Sequence, residues 1–152
     1  MSLKCRKLLI VFPDSEGELL IGNLKGKHSR VFLIDNDVSK TSELLEEGLI
    51  QAVSLDNEEE FIRDSYIIYF GYKVNIKEWI NQYAYLCADN ALFMADIPIK
   101  EAYILNMSLD DEREFVSVKI KEGDIIPSYL EENSVKAHFV ISSLNSLLKK
   151  VP

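Results

Sequence analysis

The sequence predicts an α/β or α+β fold: a single globular domain, residues 1–152, built on a mixed β-sheet of about five or six strands. Two longer helices, at about 75–87 and 134–150, and one short helix, at about 39–47, pack that sheet. Three observations carry the expectation. Short apolar runs of strand length alternate with helix-patterned segments through the first half of the chain. Residues 102–120 read instead as two strands around an acidic turn, which makes the sheet mixed rather than wholly parallel. No linker or low-complexity stretch divides the 152 residues, the usual size of one domain.

Lys7 to Phe12 is an apolar run stopped by Pro13 and Asp14, and reads as a central strand covered on both faces. Arg30 to Asp35 is a second such run. Between them, Glu18 to Leu24 suits a helix or a further strand, because Gly22 and Gly26 weaken the helical pattern. Ser39 to Glu47 has helix formers and ends at Gly48. Gln51 to Leu55 follows as a strand, and Tyr66 to Phe70, rich in β-branched and aromatic residues, as another. Asn75 with Glu78 makes a capping-box-like start, after which Ile76, Trp79, Ile80, Tyr83 and Cys87 share one helical face. The apolar stretch 90–98 contains Pro98, which points to an edge strand or a covering loop. Ala102 to Met107 and Phe115 to Ile120 read as strands, and Gly123 ends the second. Pro127 is suited to opening a helix, and Val135, Phe139, Val140, Leu144, Leu147, Leu148 and Val151 continue as an apolar stripe.

Composition excludes several functions. With 25 acidic against 17 basic residues the formal charge is −8, which repels phosphate backbones and anionic membranes. Nucleic-acid and membrane partners are therefore not expected. No apolar run approaches the ~18 residues of a membrane span. The start of the chain lacks a signal-peptide pattern, and Cys5 and Cys87 form no disulfide framework, so a cytoplasmic setting is expected.

Residues 54–61 (SLDNEEEF) return as 108–115 (SLDDEREF), identical at six of eight positions. An internal duplication is one explanation. The favoured one is a pair of acidic caps, with Asp56 and Glu59, and Asp111 and Glu114, at capping-box spacing.

Chemistry is harder to place. The strand ending at Ile34 delivers Asp35-Asn36-Asp37 to its carboxyl end, and Asp14 stands at the end of the first strand. Were the two strands parallel neighbours, Asp14, Asp35 and Asp37 would form an oxygen cluster suited to Mg²⁺ and a phosphorylated substrate. The alternative is that they turn the chain and cap helices. Asp35 and Asp37 also lie about twenty residues beyond Asp14, the spacing of the ribose-binding acid in dinucleotide sites. Yet residues 12–17 (FPDSEG) hold one glycine and two acids, so the dinucleotide fingerprint is absent and that assignment is rejected. No phosphate loop of the Gly-Lys-Ser/Thr type occurs. His28, His138, Cys5 and Cys87 stand apart in sequence and form neither a nucleophile pair nor a zinc set.

Tyr66, Tyr69, Phe70, Tyr72, Trp79, Tyr83 and Tyr85 crowd one strand and the following helix. Tyr69, Tyr72, Trp79 and Tyr83 are the candidates for a ligand wall or an interface, weighed against a plain strand–helix core.

The expected function is that of a small acidic binding or regulatory protein without catalytic activity, acting through a protein partner or self-association. No cofactor is expected, Mg²⁺ being the sole candidate. The alternatives are a divalent-metal-dependent enzyme acting through carboxylates at strand ends, and a small-molecule sensor with an aromatic-walled pocket.

Overall fold

An apolar run is stable as a strand in the middle of a sheet only where both faces are covered, and β1 (Leu8–Val11) is buried at every position. The computed structural model describes residues 3–149 apart from 29, 72, 111, 131 and 133. After β1 come α1 (Ser15–Asn23), β2 (Val31–Ile34), α2 (Val38–Glu46), β3 (Ala52–Ser54) and the short α3 (Glu59–Ile62). Then follow β4 (Ile67–Phe70), α4 (Ile76–Tyr83), β5 (Leu92–Ala95), α5 (Ile99–Met107), β6 (Glu114–Lys121), β7 (Asp124–Tyr129) and α6 (Val135–Leu148).

The seven strands form one sheet in the order β3-β2-β1-β4-β5-β6-β7. Every pairing is parallel except β6 with β7, a hairpin bulged between Ser117 and Val118. The count is slightly above the five or six expected, and the mixed α/β class holds. Two cores lie on opposite faces. Leu8 and Ile10 face one with Leu20 and Ile21 of α1 and Val140 and Leu144 of α6. Leu9 and Val11 face the other with Trp79 of α4 and Leu105 of α5. Alternating strand side chains feed both, which makes the domain doubly wound.

Several expectations are corrected. Residues 102–107 are helical within α5, and α1 takes the stretch that suited either state. β5 is an interior strand between β4 and β6, since Pro98 falls past its end and removes no ladder donor. Pro127 sits in β7, an edge strand where a missing N–H is tolerated. The short helix is 38–46, the aromatic helix stops at Tyr83 before a 3₁₀ turn, and the last helix is 135–148.

The echoed octapeptide joins unlike elements, running from β3 into α3 at its first occurrence and from α5 into β6 at its second. Its caps are also not those expected. α3 is entered at Glu58 with no side-chain cap, while Asp110 accepts from the Arg113 N–H at 3.2 Å. The Asp111–Glu114 pairing lies outside the described residues.

Candidate functional site

The strand order reverses between β1 and β4, and ligands of open α/β sheets bind beyond the strand carboxyl ends at such a point. The turn leaving β1 is tightly made. Phe12 adopts φ +46°, and the Asp14 carboxylate caps α1 by accepting from the Gly17 N–H at 2.8 Å. The Tyr69 hydroxyl donates to the same carboxylate oxygen at 3.3 Å. Burial first, then the Asp14 and Glu16 charges, hold that phenol above its ordinary pKa. Gly17 lets α1 lie against the turn, for a Cβ there would stand 2.7 Å from the Pro13 Cβ. Gly71, just past β4, approaches closer still: a Cβ would meet the Phe12 carbonyl oxygen at 1.8 Å.

β1 and β2 are parallel neighbours, as the carboxylate-cluster idea required. The three carboxylates nevertheless take separate partners. Asp14 caps α1, and Asp37 caps α2 through the Lys40 N–H at 3.0 Å. Asp35, buried at the end of β2, accepts from the Asp37 N–H at 3.2 Å and pairs with the Lys40 ammonium at 3.4 Å. Burial alone would lower the Lys40 pKa, but the Glu18 and Asp35 carboxylates overcome it and raise the value. No group of three His, Cys, Asp or Glu among the described residues could hold a metal. Asp14 and Asp37 are thus spent on helix caps and Asp35 on Lys40, and the three are not gathered as one metal-holding group.

A second acidic group lies on the β5 side of the turn. Glu16 has its pKa raised by burial, then by the Asp96 and Asp14 carboxylates, and its Oε2 is buried without a hydrogen-bond partner. Asp96, just beyond β5, pairs with Lys119 of β6 at 3.2 Å.

A cavity of about 210 Å³ opens on the other side, lined by Phe12, Asn57, Asn75, Trp79, Gln82 and Tyr83 among others. The Trp79 indole N–H donates to Asn57 at 2.9 Å and the ring tilts against Tyr83 at 5.3 Å. Of the four aromatic candidates, Trp79 and Tyr83 line this cavity. Tyr69 lies beneath the β1 turn, and Tyr72 is outside the described residues. A larger hollow of about 320 Å³ is lined by Tyr85, Ser108 and Arg113 at the opposite end of the sheet, away from the switch point.

Phe12 and its turn were missed as site residues, although the signal was present in the spacing. Residues 12–17 occupy the frame Gly-x-Gly-x-x-Gly. In that frame the first glycine makes the tight turn, the second admits the pyrophosphate and the third packs helix on strand. Here Phe12 makes the turn at positive φ and Gly17 keeps the packing role. Asp14 holds the second position, where its carboxylate already takes the helix N–H an anion would use. Like charges about 4 Å apart cost about 4 kcal/mol per pair at an effective dielectric of 20. A pyrophosphate does not fit this turn.

No protein-family model and no curated protein matches the sequence. Solved structures do match. Prephenate dehydrogenase from A. aeolicus, in complex with hydroxyphenyl propionate and NAD⁺, superposes with a TM-score of 0.75 at 15% identity over 99% of this chain and 60% of its own. Arogenate dehydrogenase from Synechocystis gives 0.70 at 13% identity, over 96% and 58%. The 3-hydroxyisobutyrate dehydrogenase of Mycobacterium tuberculosis gives 0.67 at 12% identity, over 92% and 52%. This chain therefore spans about 60% of the length of the prephenate dehydrogenase it matches. The likeness overturns the expectation of a non-catalytic binding protein without a cofactor, since the neighbours are dehydrogenases and one was solved with NAD⁺. It also reverses the rejection of the dinucleotide fold, which rested on the fingerprint alone. The chain has the Rossmann-like α/β fold that these dehydrogenases share.

Proposed function

We propose that this chain is a nucleotide-binding domain of the dehydrogenase type, taking the ribose of an adenosine-containing ligand at Asp35. The observation that carries this reading is the position of Asp35. It stands at the carboxyl end of β2, next to the β1–α1 turn, where this fold places the acid that accepts from ribose hydroxyls. The Lys40 pair and the Asp37 N–H hold its carboxylate in place. The cavity beside Phe12 supports the base: Tyr83 offers a ring, and Asn57 and Gln82 offer amides. Because the pyrophosphate turn does not fit, no hydride-transfer step is assigned to these residues.

Calorimetry of the full chain with adenosine tests the reading. One saturable site is expected, weakened about tenfold by Asp35→Ala, the loss of a hydrogen bond to a charged group. Asp110→Ala, which removes a cap at the opposite end of the sheet, should leave affinity unchanged. Absence of binding by adenosine, AMP and NAD⁺ alike would sink it.

Two expectations accompany the proposal. A cytoplasmic setting agrees with the free thiols of Cys5 and Cys87, and no described helix is long and apolar enough to cross a membrane. Self-association is suggested by the exposed Ile104 and Met107 of α5, and a monomer at every concentration in light scattering removes it.

A further inference from the structure

We infer that the domain fills its own pyrophosphate position with the Asp14 carboxylate, so that the crevice selects a nucleoside over a dinucleotide. This rests on the ribose reading above but turns on different residues. Four observations converge on it. The first is the frame 12–17, whose second glycine position, the one that must stay open for phosphate oxygens, is Asp14. The second is geometry. The Asp14 Oδ1 sits 2.8 Å from the Gly17 N–H, at the free end of the nine-residue α1, where an anionic ligand would otherwise be held.

The third is support from below. The Tyr69 hydroxyl donates to that same oxygen, and Tyr69 is fully buried in a strand, so the carboxylate is fixed from two sides. The fourth is Glu16, two residues on. Its Oε2 is buried beside the Asp96 carboxylate, so a phosphate displacing Asp14 would meet the further negative charge of that pair. Lys40 is already engaged by Glu18 and Asp35, and Lys119 by Asp96.

A phosphate group does not enter such a turn at the energy of an empty one. It must break a cap and approach two carboxylates. The ribose and base sites, at Asp35 and beside Phe12, involve neither cost. The ligand class that follows is a nucleoside, or a nucleoside-bearing molecule whose substituent at this position is neutral or cationic. The glycine-rich turn of the fold has thus been exchanged for a built-in anion.

Calorimetry with adenosine, ADP-ribose and inorganic pyrophosphate, on the full chain and on a D14G/E16A variant, decides the matter. For the natural sequence, adenosine should bind at least about tenfold tighter than ADP-ribose, and pyrophosphate should give no saturable binding. In D14G/E16A, ADP-ribose should gain at least about tenfold and pyrophosphate should become a saturable ligand. Natural protein that takes ADP-ribose as tightly as adenosine overturns the inference, and so does a variant that gains neither anion. If adenosine never binds, the ribose reading fails alone, and the pyrophosphate arm still decides this one. Should D14G/E16A not fold, D14S/E16Q keeps a helix cap on a shorter, uncharged side chain that leaves the position open. An unchanged preference against pyrophosphate in that variant is equally fatal.

Discussion

Some single side chains of this protein carry a signature that titration can read. His28 is buried after α1, where its Nδ1 accepts from the Arg30 N–H at 3.1 Å and its Nε2 lacks a hydrogen-bond partner. Burial pushes its pKa down to about 4, against a smaller opposing pull from the Leu3 and Arg6 carbonyls. Between pH 6.5 and about 4 the unfolded chain therefore binds a proton that the folded chain refuses. Stability should fall as pH drops through that window, by at most about 3 kcal/mol, and level off below it. His28→Asn, which retains an acceptor for Arg30 and does not titrate there, should flatten this slope in urea melts taken across the window. An unaltered slope would show that His28 is not the group responsible. In the sequence, His28 lay in a polar run that reads as a solvated loop, because burial by distant elements leaves no local mark. Cys87 was legible, since helical spacing placed it on the Trp79 face. It is buried, and its thiol is pushed up to about 12 by that burial, as suits a packing residue.

Elements were legible in proportion to how much one face differs from the other. The α4 helix has a capping Asn75 whose side chain accepts from Glu78 N–H, and one apolar face, both visible in the sequence. The α5 helix hides because Ile99, Tyr103, Ile104 and Met107 are exposed while Ala102 and Leu105 are buried. With apolar residues on both sides, its period is lost, and β-branched residues tip the reading towards strand. The turn after β1 failed for another reason. Its function in the fold depends on backbone approach, which composition does not report. Gly71 shows how close that approach is, since an added Cβ would lie 1.8 Å from the backbone oxygen of Phe12. Gly71→Ala should cost about 3 kcal/mol or more, because a backbone atom rather than a flexible side chain must give way. Chemical denaturation measures it. A loss below about 1 kcal/mol would mean that the β1 turn is free to move.

At the scale of the molecule, one sheet is shared by two cores, so neither face can unfold alone without exposing strands that the other also covers. The domain should therefore melt as one unit. Trp79 reports on one face by fluorescence, and far-ultraviolet circular dichroism reports on the whole backbone. The two transitions should coincide in midpoint and slope, and a Trp79 transition that precedes the other would reveal separable halves. The sequence by itself determined a mixed-sheet domain of α/β or α+β class, the strands at Leu8–Val11 and Val31–Ile34, the aromatic helix and the place of Asp35 at a strand end. Those features follow from periodicity and capping, which act within a few neighbouring residues. Only the tertiary structure decided the strand order, the interior place of β5, the capping that separates Asp14 from Asp35, and the turn that Asp14 closes. They depend on pairings such as β1 with β4 and on contacts such as Tyr69 with Asp14, between residues remote in the chain. Such contacts are selected by the packing of the whole sheet, and no local pattern encodes them.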